Sequence, residues 1–512
     1  MFSTLPRSSP NSHFLTFRIA IQLYSAMQLA SNLFILCQSP AAAQKVGKAE
    51  AKIYLSRLPT KQELSKRNTR AKFEPAFGCY LGGYVQFDGT LKTVVRDSDG
   101  KSHRDPREFE RAVGKPHSMY FFYVGYGHSP QPGWMSWLAS QGKFLHIALE
   151  PNDGLEKVKD DKYLQGLADA LAKTKAKIFL RFASEMNGNW SVYHDPKKFK
   201  EKFRLVQRVM KRRAPNVAMV WCPYAVPTRH IPEYYPGDDA VDWVGVNMYS
   251  VTYHDNDLKH PCETEHTSDL LATVYDRYAN RKPFMICEFA ATHYAACEKR
   301  PRPDFASLKI STLYSTLSRR FPRVKAINYF DSNNLQFTAT ANNDYSVTNN
   351  PTVLSCYKNA ISSSYFLSSS LPDNRPQLPA PIPMPLRNGE VLKGTVELSC
   401  YARCPSDILT VRYVLDGRLL YSANSADKWV FHLNASLISP GKHRLTLLVI
   451  NSNGVIAASQ SVSVSVAIAK QVSIRRTGGS AQTLSHREHS NIVSRLNVMS
   501  LSRQSRRRKS GY

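Results

Sequence analysis

A (β/α)8 TIM barrel followed by a small all-β, immunoglobulin-like sandwich is the fold class that this sequence predicts. Three observations carry the prediction. Eight short apolar, β-rich runs fall between residues 77 and 332, and amphipathic helical patterns lie between several of them. A Pro/Ser-rich break then follows, after which only short β-type runs separated by turn signals remain. With 512 residues the chain exceeds one ordinary domain, and 42% hydrophobic with 21% charged residues is the composition of a globular protein with a sizeable core.

Residues 1–43 are expected to be a signal peptide, which predicts a secreted protein. Arg7 and Arg18 precede an apolar stretch from Ile19 to Cys37, and the small residues Ala41 and Ala43 stand before Gln44 as at a signal-peptidase site. Gln22, Gln28 and Asn32 interrupt the apolar stretch, so no integral membrane span is expected in the mature chain. An N-terminal segment, 44–74, leads to the barrel at 75–367. The eight runs are Phe77–Tyr84, Met119–Gly127, Lys143–Glu150, Lys177–Glu185, Val217–Tyr224, Val241–Tyr249, Pro283–Phe289 and Val324–Asp331. Most are continuously hydrophobic, as strands covered on both faces are. Helical stripes are predicted in Leu155–Lys175, through Leu164, Leu167, Ala168 and Leu171, and from Phe305 to Phe321. A further helix opens at Asp195-Pro196, an N-cap followed by proline in the first turn. The eight-fold rhythm and the missing Gly-rich phosphate loop disfavour an open doubly wound sheet.

Residues 368–389, with prolines at 379, 381, 383 and 385, predict a semi-rigid linker. Over 390–468 the runs Val391–Cys400, Thr410–Val414, Val430–Leu433, Arg444–Asn451 and Ser461–Val466 are separated by Asp416-Gly417, Pro440-Gly441 and Asn453-Gly454, which predicts the sandwich. Residues 469–512 are expected to be a basic, disordered tail: from Gln471 to Tyr512 there are nine Lys/Arg against one Glu.

The net charge is +28, from 68 Lys/Arg against 40 Asp/Glu. Charge alone would admit a nucleic-acid partner, but no recognition helix or zinc finger accompanies it, so none is expected. An anionic surface contacted through the basic tail is the reading kept. Nine cysteines show no CxxC pair, and no His-rich spacing suggests zinc, so no metal is expected. Cys79, Cys222 and Cys287 fall in predicted strands and are expected in the core. Cys262 and Cys297 fall in loops, and Cys400 lies close to Cys404, so one or two disulfides are expected in an oxidising compartment.

The most informative segment is Arg181-Phe-Ala-Ser-Glu-Met-Asn-Gly-Asn-Trp190, which begins on the fourth run and continues into the loop after it. Strand alternation is expected to put Arg181, Ala183 and Glu185 on one face, with Glu185 at the barrel mouth, where such folds place catalysis. Asn187 and Gly188 bend the chain, leaving the flat ring of Trp190 free to pack on the C–H face of a sugar. The second segment is Lys282-Pro-Phe-Met-Ile-Cys-Glu288-Phe, the seventh run. A lone carboxylate ending so apolar a strand is costly to bury unpaired. Retaining cleavage of a glycosidic bond needs two carboxyl groups about 5–5.5 Å apart, and inward residues at the tops of strands four and seven can face each other across the mouth.

RFASEMNGNW and KPFMICEF resemble the acid/base and nucleophile motifs of glycoside hydrolase family 26, over roughly residues 75 to 340. The resemblance implies a retaining enzyme without cofactors, in a family of β-mannanases, mixed-linkage β-glucanases and some β-xylanases. By motif position it implies Glu185 as acid/base and Glu288 as nucleophile. Tyr249, which ends Val244-Gly-Val-Asn-Met-Tyr, matches a tyrosine orienting the nucleophile, and Trp190 matches a wall of the sugar cleft. Many members carry histidine before the acid/base, whereas this chain has Ser184, so mannan is not singled out.

Arg181, Asn187 and Glu150 complete the expected substrate-binding set, with Glu150 either contacting sugar or pairing with Arg181. Trp134 and Trp137 are expected to pack loops, Trp221 to be core, and His128, His146 and His293 to be structural. The function expected is hydrolysis of a β-linked polysaccharide by double displacement. The alternative is a non-catalytic, wall-associated glycan-binding protein on the same barrel.

Overall fold

The computed structural model describes residues 48–337, 341–369, 381–404, 408–424 and 429–467. The expected signal peptide, most of the linker and the basic tail lie outside them.

Eight parallel strands form a closed barrel: β1 (Cys79–Tyr84), β2 (Met119–Gly125), β3 (Phe144–Glu150), β4 (Ile178–Phe182), β5 (Val217–Trp221), β6 (Trp243–Ser250), β7 (Phe284–Ala291) and β8 (Val324–Phe330). Each pairs with its sequence neighbours, and β8 closes on β1 with Ala326 opposite Tyr80 and Phe330 opposite Tyr84. All eight fall within the expected runs to within a residue or two. The short strand Phe366–Leu367 adds to the outer edge of β1.

Helices cover the outside. Asp195 caps Pro196–Arg213 as its sequence predicts, its carboxylate accepting from the amides of Lys197 and Lys198. Leu164, Leu167, Ala168 and Leu171 are the buried stripe of Lys162–Lys173. One crossover departs from the expected rhythm. Between β5 and β6 there is only a 3-10 turn, Ile231–Tyr234. Prolines at 223, 227, 232 and 236 each remove an amide donor and bias the preceding residue away from the α region, so no α-helix forms there.

The lower barrel interior is filled by Met119, Phe144, Phe179, Trp243 and Met285, with Phe73 of the N-terminal segment plugging the base. Its ring lies 5.8 Å edge-on from Phe179. Halfway up, Asn328 crosses the interior so closely that a Cβ on Gly82 would lie 2.0 Å from its Oδ1, so glycine is required on β1. Trp221 is fully buried in the outer core, as expected, against Tyr235 and Tyr278.

Beyond the barrel, two mostly antiparallel sheets enclose a second core through Leu398, Cys400, Tyr413, Leu447 and Val462. The expected boundaries need correction. Glu50–Arg57, assigned to the N-terminal segment, is a central strand of one sheet, between Ile382–Pro385 and Thr395–Arg403. Ile382–Pro385, assigned to the linker, is an edge strand of that sheet, the position prolines tolerate. The β-type alternation of EAKIYLSR was present in sequence, but its partner lies hundreds of residues away. Arg403 clasps the Asp269 carboxylate of the barrel helix Thr267–Tyr278 with two bonds.

Among the described residues no two cysteines are joined in a disulfide, against the expectation of one or two. Cys400 and Cys404 sit four residues apart along extended chain, a separation of about 13 Å, well beyond the ~7 Å between Cα atoms that a disulfide spans.

Candidate active site

The C-terminal ends of β4, β6 and β7 bring together the residues singled out in sequence. Glu288, on β7, is 1% exposed. A carboxylate so buried needs donors, and three are supplied. Arg181 on β4 gives Glu288 Oε1 a 2.5 Å bond from Nη2. The hydroxyl of Tyr123 on β2 donates to the same oxygen at 2.7 Å, and the hydroxyl of Tyr249 on β6 donates to Oε2. Arg181 is itself fully buried, its guanidinium over the rings of Phe121 and Tyr123.

Glu185 is placed differently. The strand ends at Phe182, and Ala183 and Glu185 take the left-handed backbone region, with φ of 48° and 57°. The alternation expected through residue 185 therefore stops, and Ala183 is buried in the outer core. A turn held by bonds from Ala183 N to Leu149 O and from Glu185 N to Cys222 O aims the Glu185 side chain into the mouth. Left-handed backbone at two non-glycine residues stores strain of order 1–3 kcal/mol each. Gly188 then lets Trp190 fold back, since a Cβ there would meet the indole at 2.4 Å. Trp190 Nε1 donates to Glu185 Oε2 at 2.7 Å, and Asn247 Nδ2 donates to Oε1 at 2.7 Å.

Asn247 links the two carboxylates. Its Oδ1 accepts from Arg181 Nη1 at 2.9 Å, so a chain of bonds runs Glu185–Asn247–Arg181–Glu288. Burial first, and then the negative charge of Glu288, push the Glu185 carboxyl up from 4.5 to about 7 against the opposing bonds from Asn247 and Trp190. The two acids thus differ by environment: one is ion-paired and triply bonded, the other is half-buried and held by neutral donors.

Aromatic rings cluster beside the two acids, Trp190, Tyr224 and Tyr249 half-buried and Tyr84, Phe330 and Tyr345 buried. Trp190 meets Tyr224 edge-on at 5.1 Å, and Tyr224 lies parallel to Tyr249 at 6.4 Å. Tyr249 packs against Phe330 and Tyr345, and Phe330 stacks on Tyr84 at 4.9 Å. Among the described residues, strand β8 thus offers Phe330 at the mouth, while Tyr329 points outward.

Three residues of the expected substrate-binding set bond within the protein: Arg181, fully buried, to Glu288 and Asn247, and two others, Asn187 and Glu150, to partners of their own. Asn187 spends its amide on backbone: Nδ2 donates to Tyr224 O and Pro227 O, and Oδ1 accepts from Tyr224 N. It ties the Glu185 turn to the loop after β5. Glu150 is 7% exposed and accepts from Ser184 N, Ser184 Oγ and Tyr193 OH. Burial raises its carboxyl, with Arg181 and these bonds opposing. Ser184 therefore anchors the turn onto β3 rather than facing the opening. Trp134 and Trp137 stack on each other at 5.0 Å, Trp134 also on His103, and His293 bonds Ser346 O, as packing residues do. Tyr123, Tyr224 and Asn247 were not singled out from sequence. Asn247 stands two residues before Tyr249 on one strand, so alternation was the available signal.

Two expectations follow from this geometry. Arg181→Met removes the cation that Glu288 is buried against, which is expected to destabilise the fold by about 3–5 kcal/mol in chemical denaturation. Glu185 has a folded-state pKa above its unfolded value, so the folded state holds the extra proton between about pH 4.5 and about 7 and stability declines across that window. Glu185→Gln abolishes this decline. The difference in unfolding free energy between variant and parent should shift toward the variant by up to about 3 kcal/mol across the window, read from denaturant curves at a series of pH values. A flat difference would show that the group does not titrate there.

A closed barrel with two differently held glutamates and an aromatic rim at one mouth is the class of site that the fold defines. Residues 60–270 match the family model "Glycosyl hydrolase family 26". The match includes Glu185 and Tyr249 and ends before Glu288. A stretch of 116 residues is 31% identical to a β-1,3-xylanase of Vibrio sp, covering 21% of this chain and 25% of that protein. A β-1,3-xylanase of Alcaligenes sp is 28% identical over 116 residues, covering 21% of this chain and 24% of that one. The matched stretch thus spans about a quarter of these relatives. A solved GH26 β-mannanase from Bacteroides ovatus is 13% identical with a TM-score of 0.41, covering 61% of this chain and 94% of that chain. Among the described residues no helix is long and apolar enough to cross a membrane.

Proposed function

We propose that this protein is a secreted, retaining glycoside hydrolase that cleaves a β-linked polysaccharide by double displacement. The observation that carries the reading is the contrast between Glu288, held by Arg181, Tyr123 and Tyr249, and Glu185, raised to about 7 at the same mouth. Glu288 attacks the anomeric carbon as its carboxylate while Glu185 protonates the departing oxygen. Water, deprotonated by Glu185, then hydrolyses the glycosyl ester and restores both groups. Tyr249 and Tyr123 orient the nucleophile. Trp190 holds the acid/base and, with Tyr224, walls the sugar cleft.

The substrate belongs to the group of mannan, mixed-linkage glucan and xylan. β-1,3-Xylan enters the test because proteins sharing part of this sequence carry that name. The two-sheet unit is read as immunoglobulin-like, acting as a spacer, and the basic segment 469–512 as a contact for anionic surfaces. Reducing-end release on this panel, with NMR of the first-formed anomer, tests the reading. New ends of retained configuration support it, inverted configuration overturns the double displacement, and no release from any β-glycan leaves the glycan-binding alternative. Tyr249→Phe is expected to lower kcat by on the order of 10²-fold with little change in KM, because its hydroxyl touches the nucleophile rather than the remote sugars.

A further inference from the structure

We propose that His254, Cys262 and Glu265, in the loop after β6, form a binding site for one divalent cation of the Zn2+ type. Their ligating atoms all lie within 4.8 Å of one another. Around a tetrahedral Zn2+, with bonds of about 2.0–2.3 Å, ligand atoms stand about 3.3–3.8 Å apart. Side-chain movement of about an ångström therefore closes the set. His254 Nε2 and Glu265 Oε1 already face each other at 2.9 Å and need only part slightly.

The loop is built to present these groups. An antiparallel bridge sets Tyr253 opposite Pro261, with bonds from His254 N to His260 O and from Cys262 N to Thr252 O. His254 and Cys262 thus flank one bridge from its two sides. Glu265 follows after a turn closed by its amide on Cys262 O. From the helix Pro303–Leu317, Lys309 Nζ bonds the carbonyls of Glu263 and Glu265 and pins the far end. Asn256 Oδ1 accepts from Cys297 N and ties the near end.

Donor chemistry selects the ion. One thiolate, one imidazole and one carboxylate suit Zn2+ and disfavour Mg2+ and Ca2+, which take oxygen ligands. Cys262 is 5% exposed while His254 and Glu265 are half-buried, so sulfur sits at the base and the fourth position opens to water. Binding Zn2+ releases two protons to solvent, that of the Cys262 thiol and that on His254 Nε2, and replaces the His254–Glu265 contact with two bonds to the metal. The spacing, one histidine, seven residues, a cysteine, two residues and a glutamate, matches no familiar zinc signature, which is why the sequence predicts no metal. The Glu265 carboxylate and Cys262 are also among the neighbours that raise the Tyr224 hydroxyl, after burial, Glu185 and Tyr345. A cation here would brace the loop that continues from Tyr249.

The test uses the full chain, reduced and freed of metal, then dialysed against Zn2+ or Co2+. Expected results are about one Zn2+ retained per chain and, with Co2+, a thiolate-to-metal charge-transfer band in the near ultraviolet. Both should vanish in Cys262→Ser and His254→Ala and weaken by about tenfold or more in Glu265→Gln. Cys297→Ser, which changes a neighbouring thiol outside the set, should leave both intact. Circular dichroism confirms that each variant is folded, and Glu265→Gln decides the matter if the others are not. Binding that is absent in the parent, that lacks the charge-transfer band, or that depends on Cys297 instead of Cys262 would overturn the proposal.

Discussion

Glu288→Ala is expected to lower kcat by on the order of 10⁴-fold or more on the polysaccharide that the parent cleaves. The reason lies in the proposed double displacement: without the Glu288 carboxylate no glycosyl ester would form, and water would have to attack directly. The variant also leaves Arg181 buried without its partner, since the guanidinium is fully enclosed and bonded to Glu288 and Asn247. A stability loss of several kcal/mol is therefore expected alongside the kinetic one, about 3–5 kcal/mol by analogy with other broken buried pairs. Stability must be measured first, by denaturation, and the rate taken well below the transition. Addition of azide to folded Glu288→Ala should restore turnover and give a glycosyl azide of inverted configuration. Restored turnover with retained configuration would remove Glu288 from the role of nucleophile.

Glu185→Ala is expected to cost about 10²–10⁴-fold, and the loss should depend on the leaving group. On the polysaccharide, whose departing alcohol is a poor leaving group, the first step loses its proton donor. On an aryl glycoside with an acidic phenol, that step needs little protonation, so the ester forms and then accumulates for want of a base. A burst of phenol followed by a slow steady state is the expected trace. The pH profile gives an independent check. The proposed acid role requires Glu185 protonated, so activity of the parent should fall as pH rises through about 7, the value to which burial and Glu288 push the group. In Glu185→Ala that limb should disappear. An unchanged alkaline limb would assign it to another group.

The barrel was readable because its signal is local and repeated. Each strand is an apolar run of about the right length, and the caps and stripes of the helices Lys162–Lys173 and Pro196–Arg213 announce themselves within a few residues. Glu288 was readable for a related reason, since a carboxylate ending the run Phe284–Cys287 contradicts its surroundings. The strand Glu50–Arg57 shows where local reading stops. Its pattern is that of a strand, but pairing with Ile382–Pro385 and Thr395–Arg403 spans more than three hundred residues.

Sequence by itself determined that this chain builds a barrel with one glutamate closing the apolar run of strand seven and another at the top of strand four, because periodicity and out-of-place charge are properties of neighbouring residues. That Glu185 lies past its strand in a left-handed turn was decided by the tertiary structure. Tertiary structure alone decided what each surrounding side chain does. Asn187 and Glu150 look like cleft residues in a motif, yet their polar atoms are consumed by the loop after β5 and by Ser184 and Tyr193. Tyr123 and Asn247 look ordinary in sequence, yet they join the bonds that hold the two acids. Which donor satisfies which buried acceptor depends on groups brought within 3 Å of each other across the barrel, and separation along the chain carries no record of that.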